Sequence, residues 1–346
     1  MNKSLVVVTG GSGFIAIHII NQLLQQGYRV RTTVRSLTKT AIIREMLTNT
    51  GITDFTDLEI VTADLTSDEN WNNIMKGAIY VIDVASPTPK LNFKHKEEMI
   101  IPAVEGVRRV LSASRDAGVK RVVLTSAYGA IFAGHSHRTT PYTEKDWSDL
   151  NWENIHPYQE SKTRAEMAAW RFIKDEGQGL ELSVINPVAV MGPVLSAKYS
   201  HSNGQIKEFL TGEVKAVPNV DSGYVDVRDV ASLHVIAMTN PAAKGERFLA
   251  TTGETLSMLD VSNILRTAFP AFSTQLPTEI LPNETVRLAA ETQPSLKMVA
   301  SLLSVYAETS NEKAKQLLNW YPRSAAESII ATAQSMIDLG IVQIPE

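Results

Sequence analysis

The sequence contains no cysteine, which excludes disulfides, thiolate metal sites and cysteine nucleophiles together. No uninterrupted apolar stretch approaches the roughly 18–20 residues that a membrane span needs, so no membrane partner is expected. A dominant charge of one sign is missing too. The 33 basic and 37 acidic residues leave a net charge of −4, which offers no electrostatic footprint for nucleic acid or an anionic membrane surface. Only Met1-Asn2-Lys3-Ser4 precede the run Leu5-Val6-Val7-Val8. That leaves no room for a targeting segment and makes the cytoplasm the expected location.

At 346 residues, 44% of them apolar, the chain predicts one large α/β body with a smaller appended lobe. Short β-branched runs alternate with helical patterns through the first half. Strands are expected at Leu5–Thr9, Tyr28–Val34, Leu58–Thr62, Ile79–Ala85, Arg121–Ser126 and Leu182–Ile185. Helices are expected at Phe14–Gln26, between the end of the strand Tyr28–Val34 and about Leu47, at Trp71–Met75, from about Glu97 to Ala117 before Gly118, and at Tyr158–Glu176. This rhythm implies right-handed βαβ units in a doubly wound parallel sheet. After Pro187 the pattern changes. Residues 192–224 show no clear period, Val225–Met238 reads as a helix, Phe248–Thr252 as a strand, and Pro270–Pro282 as a loop. Ser257…Asp260 and Ser324…Glu327 read as helix starts, the latter as a capping box. The expected division is 1–186 plus about 225–253 for the dinucleotide-binding domain, and about 187–224 plus 254–346 for a mostly helical substrate lobe.

Thr9-Gly10-Gly11-Ser12-Gly13-Phe14-Ile15-Ala16 lies between a predicted strand and a predicted helix. In that context a glycine turn lets the backbone approach a pyrophosphate over a helix N-terminus. Thr9, Gly10, Gly13, Phe14 and Ile15 are therefore candidate cofactor contacts; Ala16 stands where a third glycine is usual. NAD sites place an acid about 20 residues further on, against the ribose 2′-hydroxyl. Here no Asp or Glu occurs between Gly13 and Glu45, and the second strand ends at Arg35, with Lys39 close behind. A guanidinium there suits a 2′-phosphate in charge and shape, so NADP(H) is the predicted cofactor.

Among the nine tyrosines, Tyr158 alone has a lysine, Lys162, four residues later. The two share one helix face. A phenol with a pKa of about 10 needs about 4 kcal/mol of differential stabilisation to titrate near 7. A neighbouring ammonium and an oxidised nicotinamide would both favour the phenolate. Ser126, at a strand C-terminus, is the expected holder of a carbonyl oxygen while Tyr158 donates the proton.

Taken with Ala63-Asp64-Leu65, Val84-Ala85-Ser86-Pro87, Thr125-Ser126 and Asn186-Pro187…Met191-Gly192-Pro193, these motifs run in the order seen in extended short-chain dehydrogenases. Tyr224–Ala231 and the helical C-terminus extend the likeness over essentially the whole chain. It most resembles the dihydroflavonol reductase-like branch, which includes cinnamoyl-CoA reductases and yeast-type carbonyl reductases. The resemblance implies NADPH-linked reduction of an aldehyde or ketone, a small-molecule carbonyl as partner, and a monomer or homodimer. It also implies that Asp64 and Leu65 flank the adenine, Val84, Ala85 and Ser86 line the ribose side, and Lys162 bonds the nicotinamide ribose. Pro187 and Val190 would pack by the nicotinamide, and Ser202 would reach towards the cofactor. Two features depart from it: Ala127 and Tyr128 follow Ser126, and the loops Ile131–His137 and Leu195–His201 carry no flavonoid-specific signature.

Other patterns are weaker. His135-Ser136-His137 lacks a third ligand at metal spacing and reads as a polar loop, with a place at the substrate entrance as the functional option. Trp147 and Trp152, with Glu144, Asp146, Asp149 and Glu153, read as surface loop packing. Gly11-Ser12-Gly13 lacks the flanking glycine of a nucleophile elbow. The alternatives are an NAD-dependent sugar-nucleotide epimerase or dehydratase of the same fold, disfavoured by the basic end of the second strand, and a non-catalytic dinucleotide sensor.

Overall fold

The computed structural model describes residues 3–86, 95–135, 138–197, 199–305 and 308–345. Strands and helices alternate from the start: β1 (Leu5–Val8), α1 (Phe14–Gln25), β2 (Arg29–Val34), α2 (Thr40–Thr48), β3 (Leu58–Thr62) and α3 (Trp71–Met75). There follow β4 (Tyr80–Asp83), α4 (Glu97–Asp116), β5 (Arg121–Thr125), α5 (Pro157–Glu176) and β6 (Glu181–Pro187). Next come β7 (Ala189–Met191), α6 (His201–Leu210), β8 (Ala216–Pro218), β9 (Asp221–Asp226), α7 (Val227–Thr239) and β10 (Arg247–Ala250). The chain continues through β11 (Thr255–Ser257), α8 (Met258–Ala268) and β12 (Glu279–Leu281). It ends with four helices: α9 (Asn283–Thr292), α10 (Pro294–Leu302), α11 (Glu312–Leu318) and α12 (Ala325–Asp338).

Seven strands form the central sheet in the order β3-β2-β1-β4-β5-β6-β10, every neighbouring pair parallel. The expected doubly wound sheet is therefore present. Its two faces are sorted by strand period. Val6 and Val8 of β1 join one apolar cluster with Ile17, Ile20 and Leu233. Leu5 and Val7 join the opposite one with Val107, Val110 and Phe172. Continuous β-branched runs suit strands covered on both sides, and each fully buried Val or Leu contributes about 1.5–3 kcal/mol of burial free energy. At the end of α4, Gly118 takes φ +71°, the left-handed conformation that stops a helix and favours glycine.

Three sequence expectations need correcting. The aperiodic stretch 192–224 holds α6, β8 and most of β9. These elements are short, and their apolar residues are shared with distant segments rather than arranged in a local period. Val225 and Asp226 end β9 instead of opening a helix, because Asp226 is the N-cap of α7, its carboxylate accepting from the Arg228 N–H at 2.8 Å. The proline-rich loop 270–282 contains β12, which pairs with β8. A separate apolar cluster gathers Ile206, Phe209, Val217, Val261, Leu265, Ile329 and Met336. Helix α12 is tied to the chain beyond β7 through Thr332, whose Oγ1 accepts from the Gly192 N–H at 2.7 Å, and through Ser335, which accepts from the Val194 N–H at 2.9 Å.

The acidic stretch around Trp147 is also more than surface packing. Glu144 is buried and accepts the Leu249 N–H at 2.8 Å, and Asp146 takes a two-pronged bond from Arg138. The Arg247 guanidinium lies 3.7 Å over the Trp147 ring. Asp149 and Glu153 are exposed, as expected.

Candidate active site

In an open α/β sheet, ligands bind beyond the strand C-termini where the strand order reverses. Here that point lies between β1 and β4, and a crevice of about 940 Å³ opens there. Gly10, Gly13, Phe14, Ile15, Arg35, Asp64, Leu65, Val84, Ala85 and Ser86 line it on one side. Ser126, Tyr158, Lys162, Pro187, Val190 and Ser202 line it on the other. Segments far apart in sequence thus meet in one cleft.

The glycine turn is locked from below. Gly10 adopts φ +73°, and a Cβ there would lie 3.2 Å from Ala85 Cα. A Cβ on Gly11 would lie 2.2 Å from Thr32 Oγ1. The Gly10 N–H donates to Thr33 Oγ1 at 3.0 Å and the Gly11 N–H to the Thr33 carbonyl at 2.9 Å. Thr9, expected among the cofactor contacts, does not line the crevice; it is buried beneath the turn. Its hydroxyl donates to Asp83 at 2.6 Å and accepts the Val84 and Ala85 N–H groups at 3.0 and 2.8 Å. Thr9 therefore joins the ends of β1 and β4. The first turn of α1, with N–H groups that no helical carbonyl can accept, opens on the cleft at Phe14 and Ile15. A close-approach glycine cradle, anion-favouring helix end and elongated cleft fit a dinucleotide.

At the far end Arg35 follows the last residue of β2, is exposed and faces the crevice. Lys39 does not line it, because the 3₁₀ turn Leu37–Lys39 leads the chain from the strand end into α2. The Asp64 carboxylate accepts from Thr66 N–H and Oγ1 at 2.8 and 2.7 Å. Those bonds, with weaker help from the Arg35 and Arg109 charges, hold it below the usual carboxylate range. Pro87 lies outside the described residues, as do Ser136 and His137. His135 is engaged with the Trp147 carbonyl at 2.8 Å.

The other wall is built on α5. Its start is fixed by a reciprocal cap: His156 Nδ1 accepts the Tyr158 N–H at 3.2 Å, and Gln159 Oε1 accepts the His156 N–H at 3.0 Å. Pro157 occupies the first helical position, where its missing N–H costs nothing. Tyr158, Lys162 and Glu166 then follow at successive i,i+4 steps along one face. Burial pushes the Tyr158 phenol up to about 12. The sequence predicts a phenol lowered by a neighbouring ammonium; in the protein burial sets the shift, in the opposite direction, and the phenol stays a proton donor. Burial also brings Lys162 down to about 8, opposed by the nearby Asp83 and Glu166 carboxyls. Burial raises Asp83 to about 7, against the Thr9 hydrogen bond and the Lys162 charge.

Ser126 departs from expectation more sharply. Its hydroxyl donates to Glu166 Oε2 at 2.6 Å. Asn186 Nδ2 donates to the same oxygen at 2.8 Å, Trp170 Nε1 to Oε1 at 3.3 Å, and Arg247 Nε pairs with Oε1. Arg247 also donates to the carbonyls of Glu144 and Asp146 at 2.8 and 2.9 Å. Glu166, Asp83, Thr33 and Arg247 are not singled out by the sequence, and Asn186 enters it only within the Asn186-Pro187 motif. Of the first four, Glu166 alone leaves a trace there, as the third member of the Tyr158–Lys162 spacing.

Residues 6–250 match the model of the NAD dependent epimerase/dehydratase family, and the chain belongs to that family. Within it, its relatives place it among extended short-chain dehydrogenases of the dihydroflavonol reductase-like branch. Cinnamoyl-CoA reductase 2 of Arabidopsis thaliana is 38% identical over 286 residues, covering 81% of each chain. The NADPH-dependent methylglyoxal reductase GRE2 of Saccharomyces cerevisiae is 30% identical over 355 residues, covering 96% of this chain and 98% of that one. The crystal structure of yeast methylglyoxal/isovaleraldehyde reductase Gre2 complexed with NADPH superposes with a TM-score of 0.80 at 28% identity, covering 97% of this chain and 99% of that one.

Proposed function

We infer that the protein reduces an aldehyde or ketone to an alcohol with NADPH. The observation that carries this reading is a single crevice with the Tyr158–Lys162 pair at one end and Arg35 at the other. The NADPH-dependent reductases to which the chain is similar support the same assignment.

The dinucleotide supplies the hydride. Gly10, Gly13 and the start of α1 would hold its pyrophosphate, Arg35 would meet the 2′-phosphate, and Asp64 and Leu65 would flank the adenine. Val84, Ala85 and Ser86 line the ribose side. Pro187, Val190 and Ser202 would close the nicotinamide end, and Lys162 would bond the nicotinamide ribose. Tyr158 gives its hydroxyl proton to the carbonyl oxygen as that oxygen becomes an alcohol. A phenol held well above neutral is protonated and ready to donate. The phenolate left behind is stabilised by Lys162, which burial has poised near 8 for proton exchange at physiological pH.

The chain divides into a dinucleotide domain, 1–186 plus about 225–253, and a substrate lobe made of the rest. The lobe's own apolar cluster supports that division. No helix among the described residues is long and apolar enough to cross a membrane; a cytoplasmic monomer or homodimer accords with this reading.

The test is NADPH oxidation across aldehydes, aryl ketones and α-dicarbonyls, run in parallel with NADH. Turnover with at least one class and a preference for NADPH is expected. A purified protein that carries bound NAD, ignores added NADPH and reduces none of these carbonyls would point instead to an epimerase or dehydratase.

A further inference from the structure

We propose that, among the described residues, Tyr158 alone donates a side-chain hydrogen bond to the substrate's carbonyl oxygen, and that Ser126 is a positioning residue turned inward to Glu166. This rests on the carbonyl reductase reading above.

The backbone sets up the arrangement. Residues at the end of β5 are extended, Ala127 having φ −160° and ψ 158°, so successive side chains point to opposite sides. Thr125 faces α7, its hydroxyl 2.8 Å from His234 Nε2. Ser126 faces α5 and gives its proton to Glu166. Ala127 comes next on the crevice lining, and its methyl group has nothing to donate.

A serine hydroxyl carries one proton, and a carbonyl oxygen needs donors. Although Ser126 touches the crevice, its oxygen presents lone pairs rather than a proton to anything bound there. Redirecting that proton would break a charge-assisted bond of a fully buried carboxylate. Every other partner of that carboxylate is also a donor: Asn186, Trp170 and Arg247. The network is anchored beyond the site, because Arg247 stacks on Trp147 and is bonded to two backbone carbonyls. Asn186 Nδ2 also donates to the Ala127 carbonyl at 3.2 Å. Ser126, Glu166, Asn186 and Arg247 together thus fix the strand end on which Ala127 sits, and Ala127 and Tyr158 line the same crevice.

Steady-state kinetics of Ser126→Ala and Ala127→Ser, with NADPH affinity and thermal unfolding measured alongside, test the assignment. Removing a donor that contacts a developing oxyanion costs roughly 10²–10³ in kcat. For Ser126→Ala the expected loss is tenfold or less, with the pH profile of kcat unchanged; a larger loss in a folded variant that still binds NADPH overturns the proposal. Ala127→Ser adds a hydroxyl on the crevice side without touching Glu166. It should raise kcat about tenfold with NADPH affinity unchanged, and if Ser126→Ala does not fold, this variant decides: no rise refutes the proposal. A wild-type protein with no NADPH-linked carbonyl reduction would defeat the functional reading itself. An active wild type with a crippled Ser126→Ala would defeat this inference alone.

Discussion

Replacing Arg35 probes the cofactor assignment at its most exposed point. The guanidinium sits on the crevice rim just past β2, is solvent-accessible, and forms no ion pair among the described residues. A 2′-phosphate brings about −1.5 to −2 charges. One unit pair at 4 Å is worth about 1 kcal/mol in water and about 4 kcal/mol near a protein surface. Exposure places Arg35 in the lower half of that range, so removing its charge should cost about 2 kcal/mol, or about 30-fold in NADPH affinity. Arg35→Asp adds repulsion of similar size and should reach several hundred-fold, on the order of 3–4 kcal/mol. NADH lacks the phosphate, and its affinity should change less than about threefold. Fluorescence titration with both nucleotides reads this directly. The NADPH penalty should also shrink in high salt, as expected for an exposed pair. Equal losses for NADPH and NADH would refute the assignment, because they would mean that Arg35 supports the site without recognising the phosphate.

Three further outcomes follow from the same geometry. Asp83 rises in the folded protein from 3.8 to about 7, so between those values the native state keeps a proton that the unfolded chain has released. Stability of the ligand-free protein should therefore fall as pH rises through that window, and Asp83→Asn should flatten the slope in chemical unfolding; an unchanged slope would contradict the burial argument. Lys162 falls from 10.5 to about 8, which gives the opposite slope, stability rising with pH, between those values. Thr332→Val strands the Gly192 N–H and should cost about 1–3 kcal/mol in denaturant unfolding; a cost near zero would show that α12 is not clamped there. Gly11→Ala drives a methyl group into Thr32, and should weaken NADPH more than tenfold or prevent folding, whereas wild-type affinity would disprove the close packing beneath the turn.

Much of the fold was legible because its signals are local. The β-branched runs of β1 and β3, the 20-residue α4 ending at Gly118 and the 20-residue α5 announce themselves within a single window. The lobe between 192 and 224 was illegible for the converse reason: β8 pairs with β12 some sixty residues away, and neither has a period of its own. The candidate site divides in the same way. Tyr158 and Lys162 share a helix face and could be read as a pair. Thr9 lay in the glycine motif, but its partner Asp83 is 74 residues distant, so nothing in the sequence showed that it faces the core. Ser126 was the most misleading residue. Its position at a strand end suggested a substrate contact, while the direction of its hydroxyl depends on Glu166, Asn186 and Arg247, brought together only by the packed sheet.

The central claim is that Tyr158 protonates the carbonyl oxygen while NADPH provides the hydride. Its most direct test is Tyr158→Phe, which keeps the ring and removes the proton. With the best carbonyl substrate and NADPH, kcat should fall about 10²–10⁴-fold, while NADPH affinity stays within about twofold of wild type. A Tyr158→Phe protein that retains most of its kcat would contradict the account.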